Sequence, residues 1–175
     1  MDHLKAMIRT VPDFPVEGIL FRDITTLIKD ARAFAEVIDR LAGMLEDTAV
    51  DLIAGIESRG FIFGAPLAYQ LGAGFVPIRK EGRLPAETVV REYALEYGTN
   101  RLELHADAVK PGQRVLIIDD LLATGGTALA SAELVEALGG LVIGFAFVIE
   151  LTFLGGRERL GRHPIISLIE FGAEE

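Results

Sequence analysis

Val115-Leu116-Ile117-Ile118-Asp119-Asp120-Leu121-Leu122-Ala123-Thr124-Gly125-Gly126-Thr127 is the stretch whose reading decides the fold. Residues 115–118 are apolar and mostly β-branched, the pattern of a strand buried on both faces. Two acids stand at its carboxyl end, where open α/β sheets receive their ligands. Gly125 and Gly126 allow a tight turn and a close approach of backbone to a ligand. A helix expected over 127–138 would aim its first free N–H groups, and the positive end of its dipole, back at the strand end. With the hydroxyls of Thr124 and Thr127, residues 123–127 form a cradle for a monophosphate.

Outward from this stretch, apolar runs alternate with helical patterns. Strands are expected at 52–56, 75–78, 142–149 and 165–169, and a helix at 60–71. Phe34, Val37, Ile38, Leu41 and Leu45 recur at helical spacing behind Asp30, an N-cap residue type. The fold class that follows is α/β: a mostly parallel twisted sheet flanked by helices. Residues 11–28, with two prolines and little periodicity, read as an irregular cap outside the sheet. Alternation over 88–95 and 101–105 reads as a mobile hairpin lying over one end of the sheet. A chain of 175 residues is expected to form one domain, and no repeat or linker divides it.

The paired acids call for a ligand that donates hydrogen bonds, because alone they would repel phosphate. Sugar hydroxyls or a hydrated cation would serve, and phosphate beside hydroxyls describes a ribose 5-phosphate. The plain alternative, an acidic strand end followed by an ordinary glycine turn, stays open at this point. A Walker lysine motif and a G-x-G-x-x-G turn after a strand are both missing, which argues against nucleoside triphosphate and dinucleotide sites. Glu57-Ser58-Arg59-Gly60 follows the strand at 52–56 and opens a helix, a second place for an anion. Arg59, Arg79, Lys80 and Arg83 supply cations, although any one of them alone could be ordinary surface charge.

Composition narrows the function classes. A net charge of −9 opposes nucleic-acid binding by the surface as a whole. The uncharged, strongly apolar stretch 137–149 is shorter than the roughly 20 residues of a membrane helix. The opening Met1-Asp2-His3-Leu4-Lys5 lacks the charge and apolar pattern of a secretory signal, and cysteine is absent. Both fit a cytoplasmic protein. His3, His105 and His163 are scattered without ligand spacing and read as structural.

Residues 115–127 resemble the signature of the type I phosphoribosyltransferases, which bind 5-phosphoribosyl 1-pyrophosphate. Further segments are similar to the adenine phosphoribosyltransferases within that family: 14–25 to their hood, Ile56-Glu57-Ser58-Arg59-Gly60-Phe61 to their pyrophosphate loop, 79–85 and 93–98 to their flexible loop, and 150–157 to the segment behind the base. Arg83 stands where many members carry lysine. The resemblance implies transfer of the phosphoribosyl group to adenine, giving AMP and pyrophosphate. It puts Asp119 and Asp120 on the ribose hydroxyls and Ala123, Thr124, Gly125, Gly126 and Thr127 on the 5-phosphate. Ser58, Arg59, Arg79, Lys80, Arg83 and Tyr97 fall on the pyrophosphate side. Glu96, Arg59 and Lys80 would be catalytic, Glu96 managing the proton of the base. Leu20, Phe21, Arg22 and Leu154 would enclose adenine. The same resemblance implies a cis Glu57–Ser58 peptide, Mg2+ held mainly by substrate and water with no protein metal ligand assigned, and a homodimer in which Arg79 reaches across. Enzymes acting on 6-oxopurines, and regulators that keep the sugar site without catalysis, are the rival readings.

Overall fold

In the computed structural model, which describes residues 1–94, 99–161 and 163–173, the chain opens with α1 (Asp2–Ala6), β1 (Arg9–Pro12), β2 (Leu20–Asp23) and α2 (Thr25–Ile28). Then follow α3 (Ala31–Met44), β3 (Leu52–Ile56), α4 (Arg59–Leu71), β4 (Gly74–Lys80), β5 (Thr88–Ala94) and β6 (Thr99–His105). The chain continues through β7 (Arg114–Leu122), α5 (Gly126–Ala137), β8 (Leu141–Leu151), a 3₁₀ turn (Thr152–Leu154), α6 (Gly156–Leu160) and β9 (Ile165–Phe171). Among the described residues no helix is long and apolar enough to cross a membrane.

One sheet carries seven of the described strands in the order β5-β6-β4-β3-β7-β8-β9. The pairs from β4 through β9 across the centre are parallel, while β6 joins β4, and β5 joins β6, antiparallel. The apolar run of β7 is continuous because both of its faces are covered. Val115 and Ile117 pack with Ala128, Leu134 and Val135 of α5, whereas Leu116 and Ile118 pack with Val37 and Leu41 of α3 and Phe63 and Leu67 of α4. Asp30 caps α3 as its residue type predicts, its carboxylate accepting from the N–H groups of Arg32 and Ala33 at 3.0 and 2.9 Å.

Three expectations are corrected. Residues 11–28 lie outside the main sheet but are irregular only over 13–19: β1 and β2 pair antiparallel with Val11 opposite Phe21, and α2 follows. Short strands broken by prolines leave too few alternating positions to be seen in sequence. The hairpin does not lie over the end of the sheet but extends it. β4 runs on to Lys80, and that extension pairs Arg79 with Glu103 and Lys80 with Leu102. The central strands also outrun their apolar cores, because β7 and β8 go on pairing past the acids, with Asp119 opposite Phe147 and Leu122 opposite Glu150.

β3 has β4 on one side and β7 on the other, so the connections leaving its carboxyl end and that of β7 diverge. A crevice opens there, as it does wherever strand order reverses in such sheets.

Candidate active site

The two strand ends at the crevice supply opposite charges. After β3 come Glu57 and Ser58, joined by a cis peptide as expected, and then Arg59 at the start of α4. Gly60 lets this first turn lie against β7: a Cβ there would stand 2.6 Å from the Ile118 carbonyl oxygen. Across the crevice, Asp119 and Asp120 leave β7. Alternation starts them toward opposite faces, and their surroundings differ accordingly. Asp120 is only 4% exposed and accepts from Nε of Arg59, forming an ion pair. Asp119 accepts from the N–H of Asp120 at 2.9 Å, and Arg59 acts on it through its charge. Burial pushes the Asp119 carboxyl well above the usual range, and the neighbouring Asp120 charge pushes the same way. Glu57, Ser58, Arg59, Lys80, Asp119 and Asp120 line a cleft of about 280 Å³.

Asp119 also borders a second, smaller cavity of about 80 Å³, formed mainly by residues 121–128 with Phe147 at its base. Here the backbone of Ala123 to Thr127 wraps a concave turn, and α5 opens from it. Gly125 takes φ +78, a left-handed conformation, and a Cβ there would lie 2.8 Å from the Gly156 carbonyl oxygen. Glycine is therefore required twice over, by conformation and by space. The start of α6 supports the turn from behind, and Arg157 on α6 is held by Glu150 at 2.5 and 3.0 Å.

The β1–β2 ribbon reaches the cleft through Phe21. Its ring meets Phe14 edge to face at 5.1 Å, and the Arg59 guanidinium lies 6.0 Å from its centroid. Arg22 is buried instead, stacked 4.2 Å over Phe171 and donating to the Thr10 hydroxyl at 2.6 Å. Leu20 is exposed on the ribbon, and Leu154 is exposed in the 3₁₀ turn after β8.

The residues expected from sequence are thus sorted. Ser58, Arg59, Lys80, Asp119 and Asp120 share one cleft, and Ala123 to Thr127 share the adjoining one. Arg79 and Arg83 line neither. Arg79 is held by the Glu57 carboxylate at 3.1 and 3.2 Å, and its third contact is the Arg83 carbonyl at 3.1 Å. Arg83 is exposed and is fixed by its backbone, whose N–H donates to buried Glu103 at 2.7 Å beside that of Leu84. Glu96 and Tyr97 lie outside the described residues.

Three side chains contribute that the sequence did not single out. Glu57 gathers Arg79 and the Lys80 N–H, and Arg79 holds its carboxylate below the usual range. The parallel register of Ile56 with Ile78, which a sequence does not display, places Glu57 beside Arg79. Glu103 sits among alternating polar residues that a sequence assigns to solvent. Tyr93, whose hydroxyl shares a 3.2 Å hydrogen bond with that of Thr127, is marked in sequence only as the first residue of the loop segment 93–98, and nothing local points to Thr127.

Residues 25–163 match the family model of the phosphoribosyl transferase domain. The adenine phosphoribosyltransferase of Chloroflexus aurantiacus is 63% identical over 168 residues, covering 96% of this chain and 97% of that protein. The crystal structure of the Thermoanaerobacter pseudethanolicus adenine phosphoribosyltransferase superposes with a TM-score of 0.95 at 62% identity, over 97% of this chain and 99% of that one. The Saccharomyces cerevisiae enzyme of the same name, solved with D-2,5-dideoxy-2,5-imino-altritol 1,6-bisphosphate and adenine, gives 0.90 at 42% identity over 95% and 97% of the two chains.

Proposed function

The chain belongs to the phosphoribosyltransferase family, among the adenine phosphoribosyltransferases, and on that premise we propose that it converts adenine and 5-phosphoribosyl 1-pyrophosphate to AMP and pyrophosphate. The observation that carries the reading is the meeting of two cavities at Asp119, with Arg59 and Lys80 beyond it on one side and the glycine turn on the other. A ligand with an anion at each end and hydroxyls between them matches that order of partners.

In the reaction the C1–O bond to pyrophosphate breaks and its electron pair leaves with the pyrophosphate. A ring nitrogen of adenine bonds to C1 and loses its proton. The ribose passes through an oxocarbenium-like state, which the negative charge of Asp119 and Asp120 would stabilise. Burial works against the charge of Asp119 in the free chain. Ribose hydroxyls donating to it favour the ionised form, so binding the sugar and charging this carboxylate support each other. Arg59 and Lys80, with Ser58 at the start of α4, would receive the leaving pyrophosphate. We assign Arg79 and Arg83 to shaping the strand end that carries Lys80, because their contacts run to Glu57 and Glu103.

Phe21, with the backbone of Leu20 and Arg22, forms our candidate face for adenine, and Leu154 its candidate opposite wall. Glu96 is assigned the proton of the base, with Tyr97 beside it on the pyrophosphate side. Magnesium supplies positive charge to the leaving group when it enters with the pyrophosphate. Substrate and water are its main expected ligands, and Asp119 and Asp120 stand at the cleft wall. We further place the enzyme in the cytoplasm as a homodimer, with the hood and hairpin parts of one catalytic domain. Exposed Ile62 and Tyr69, seven residues apart on one face of α4, support a covered surface there. The test is incubation with adenine, the phosphoribosyl donor and Mg2+: AMP and pyrophosphate are expected in equal amounts, and no AMP would overturn the proposal.

A further inference from the structure

Tyr93 touches the phosphate turn from outside the site. Its hydroxyl shares a 3.2 Å hydrogen bond with the Thr127 hydroxyl, and Thr127 lines the smaller cavity. The contact is held in place from two directions. The Tyr93 ring packs, partly buried, on the apolar cluster beneath α5. Two residues earlier on the same face of β5, Arg91 pairs with Glu133 of α5 at 3.0 Å. Ser131 donates to the Thr127 carbonyl at 2.8 Å and so does not compete for its side chain.

Donor counting then fixes what the pair can do. A threonine hydroxyl has one proton, and a fully ionised phosphate oxygen only accepts. When Thr127 gives its proton to a phosphate, its bond with Tyr93 survives in one direction alone, with Tyr93 donating. Resting on the reading of residues 123–127 as the 5-phosphate turn, we propose that Tyr93 is a positioning residue for the phosphoribosyl donor: its hydroxyl donates to Thr127, aims the Thr127 proton at the 5-phosphate, and ties β5, one residue short of the end of its pairing with β6, to the occupied turn.

The test is a double-mutant cycle of Tyr93→Phe and Thr127→Ala, with ribose 5-phosphate and pyrophosphate titrated separately by calorimetry. Phenylalanine keeps the ring and its packing, and an unchanged Tm checks this. Tyr93→Phe is expected to weaken ribose 5-phosphate about fivefold, the usual worth of one hydrogen bond, and to leave pyrophosphate within about twofold. In the Thr127→Ala background it should add nothing. Equal weakening of both ligands would mark a merely structural tyrosine and overturn the proposal. So would unchanged ribose 5-phosphate binding, or independent, additive effects of the two substitutions. A wild-type chain that fails to bind ribose 5-phosphate would instead sink the reading of the turn itself, and this proposal with it.

Discussion

Asp119 and Asp120 are neighbours on one strand, yet Arg59 bonds Asp120 directly while at Asp119 its charge is outweighed by burial and by Asp120. The difference has a measurable sign. The folded pKa of Asp119 lies above its unfolded value, so the group favours folding below the ordinary 3.8 and loses that contribution as pH rises through the folded value. At neutral pH the free protein therefore carries a cost that Asp119→Asn removes. The variant is expected to melt higher than wild type at pH 7.5, with the gap closing toward pH 4, while turnover falls by about a hundredfold. A variant less stable than wild type at pH 7.5 would contradict this account of the site. The acids and the glycine turn were legible in sequence because they are contiguous. The partners that define their state were not: Arg59 lies 61 residues from Asp120, and Tyr93 lies 34 from Thr127. No local pattern encodes contacts across such separations.

Among the elements, the helix openings at Arg59 and Gly126 carry most of the chemistry, and each depends on a glycine that lets backbone approach backbone. Gly125→Ala meets both a positive φ and the Gly156 carbonyl. The conformation alone costs about 1–2 kcal/mol, and relief of the close contact must move α6 or the turn. A lowered Tm and a raised KM for the phosphoribosyl donor are expected together, with the KM for adenine little changed. A normal donor KM would show that residues 123–127 do not hold the substrate. Elements with a long, strong period were readable: α3 behind Asp30 and the buried strands β3 and β7 are where the pattern put them. Those fixed by pairing rather than by period were not. The β1–β2 ribbon is four residues a side, and the ends of β4, β7 and β8 are extended by their neighbours.

At the scale of the whole molecule, the order β4-β3-β7 matters more than any single strand, since it opens the crevice into which all the proposed chemistry is placed. That order follows from neither composition nor strand count, though the alternation of strands and helices made the layers predictable. The molecule's acid response should run opposite to that of Asp119. Hydrogen bonds from Thr25 and Arg9 lower Asp23 from 3.8 to about 2, and those from Arg114 lower Asp51 to about 2. These groups stabilise the fold above the ordinary carboxylate range, and the contribution is lost as pH falls from about 4 toward 2. Asp51→Asn should lower the Tm at neutral pH and flatten the loss between pH 4 and 2, and an unflattened profile would show that its pairing with Arg114 is not felt. The assignment of adenine as the base is tested by product formation from 5-phosphoribosyl 1-pyrophosphate and Mg2+ with adenine, hypoxanthine, guanine and xanthine in separate reactions. The account predicts AMP from adenine and little or no nucleotide from the three oxopurines. Nucleotide from an oxopurine with none from adenine would leave the sugar-phosphate site standing and contradict the assignment of the base.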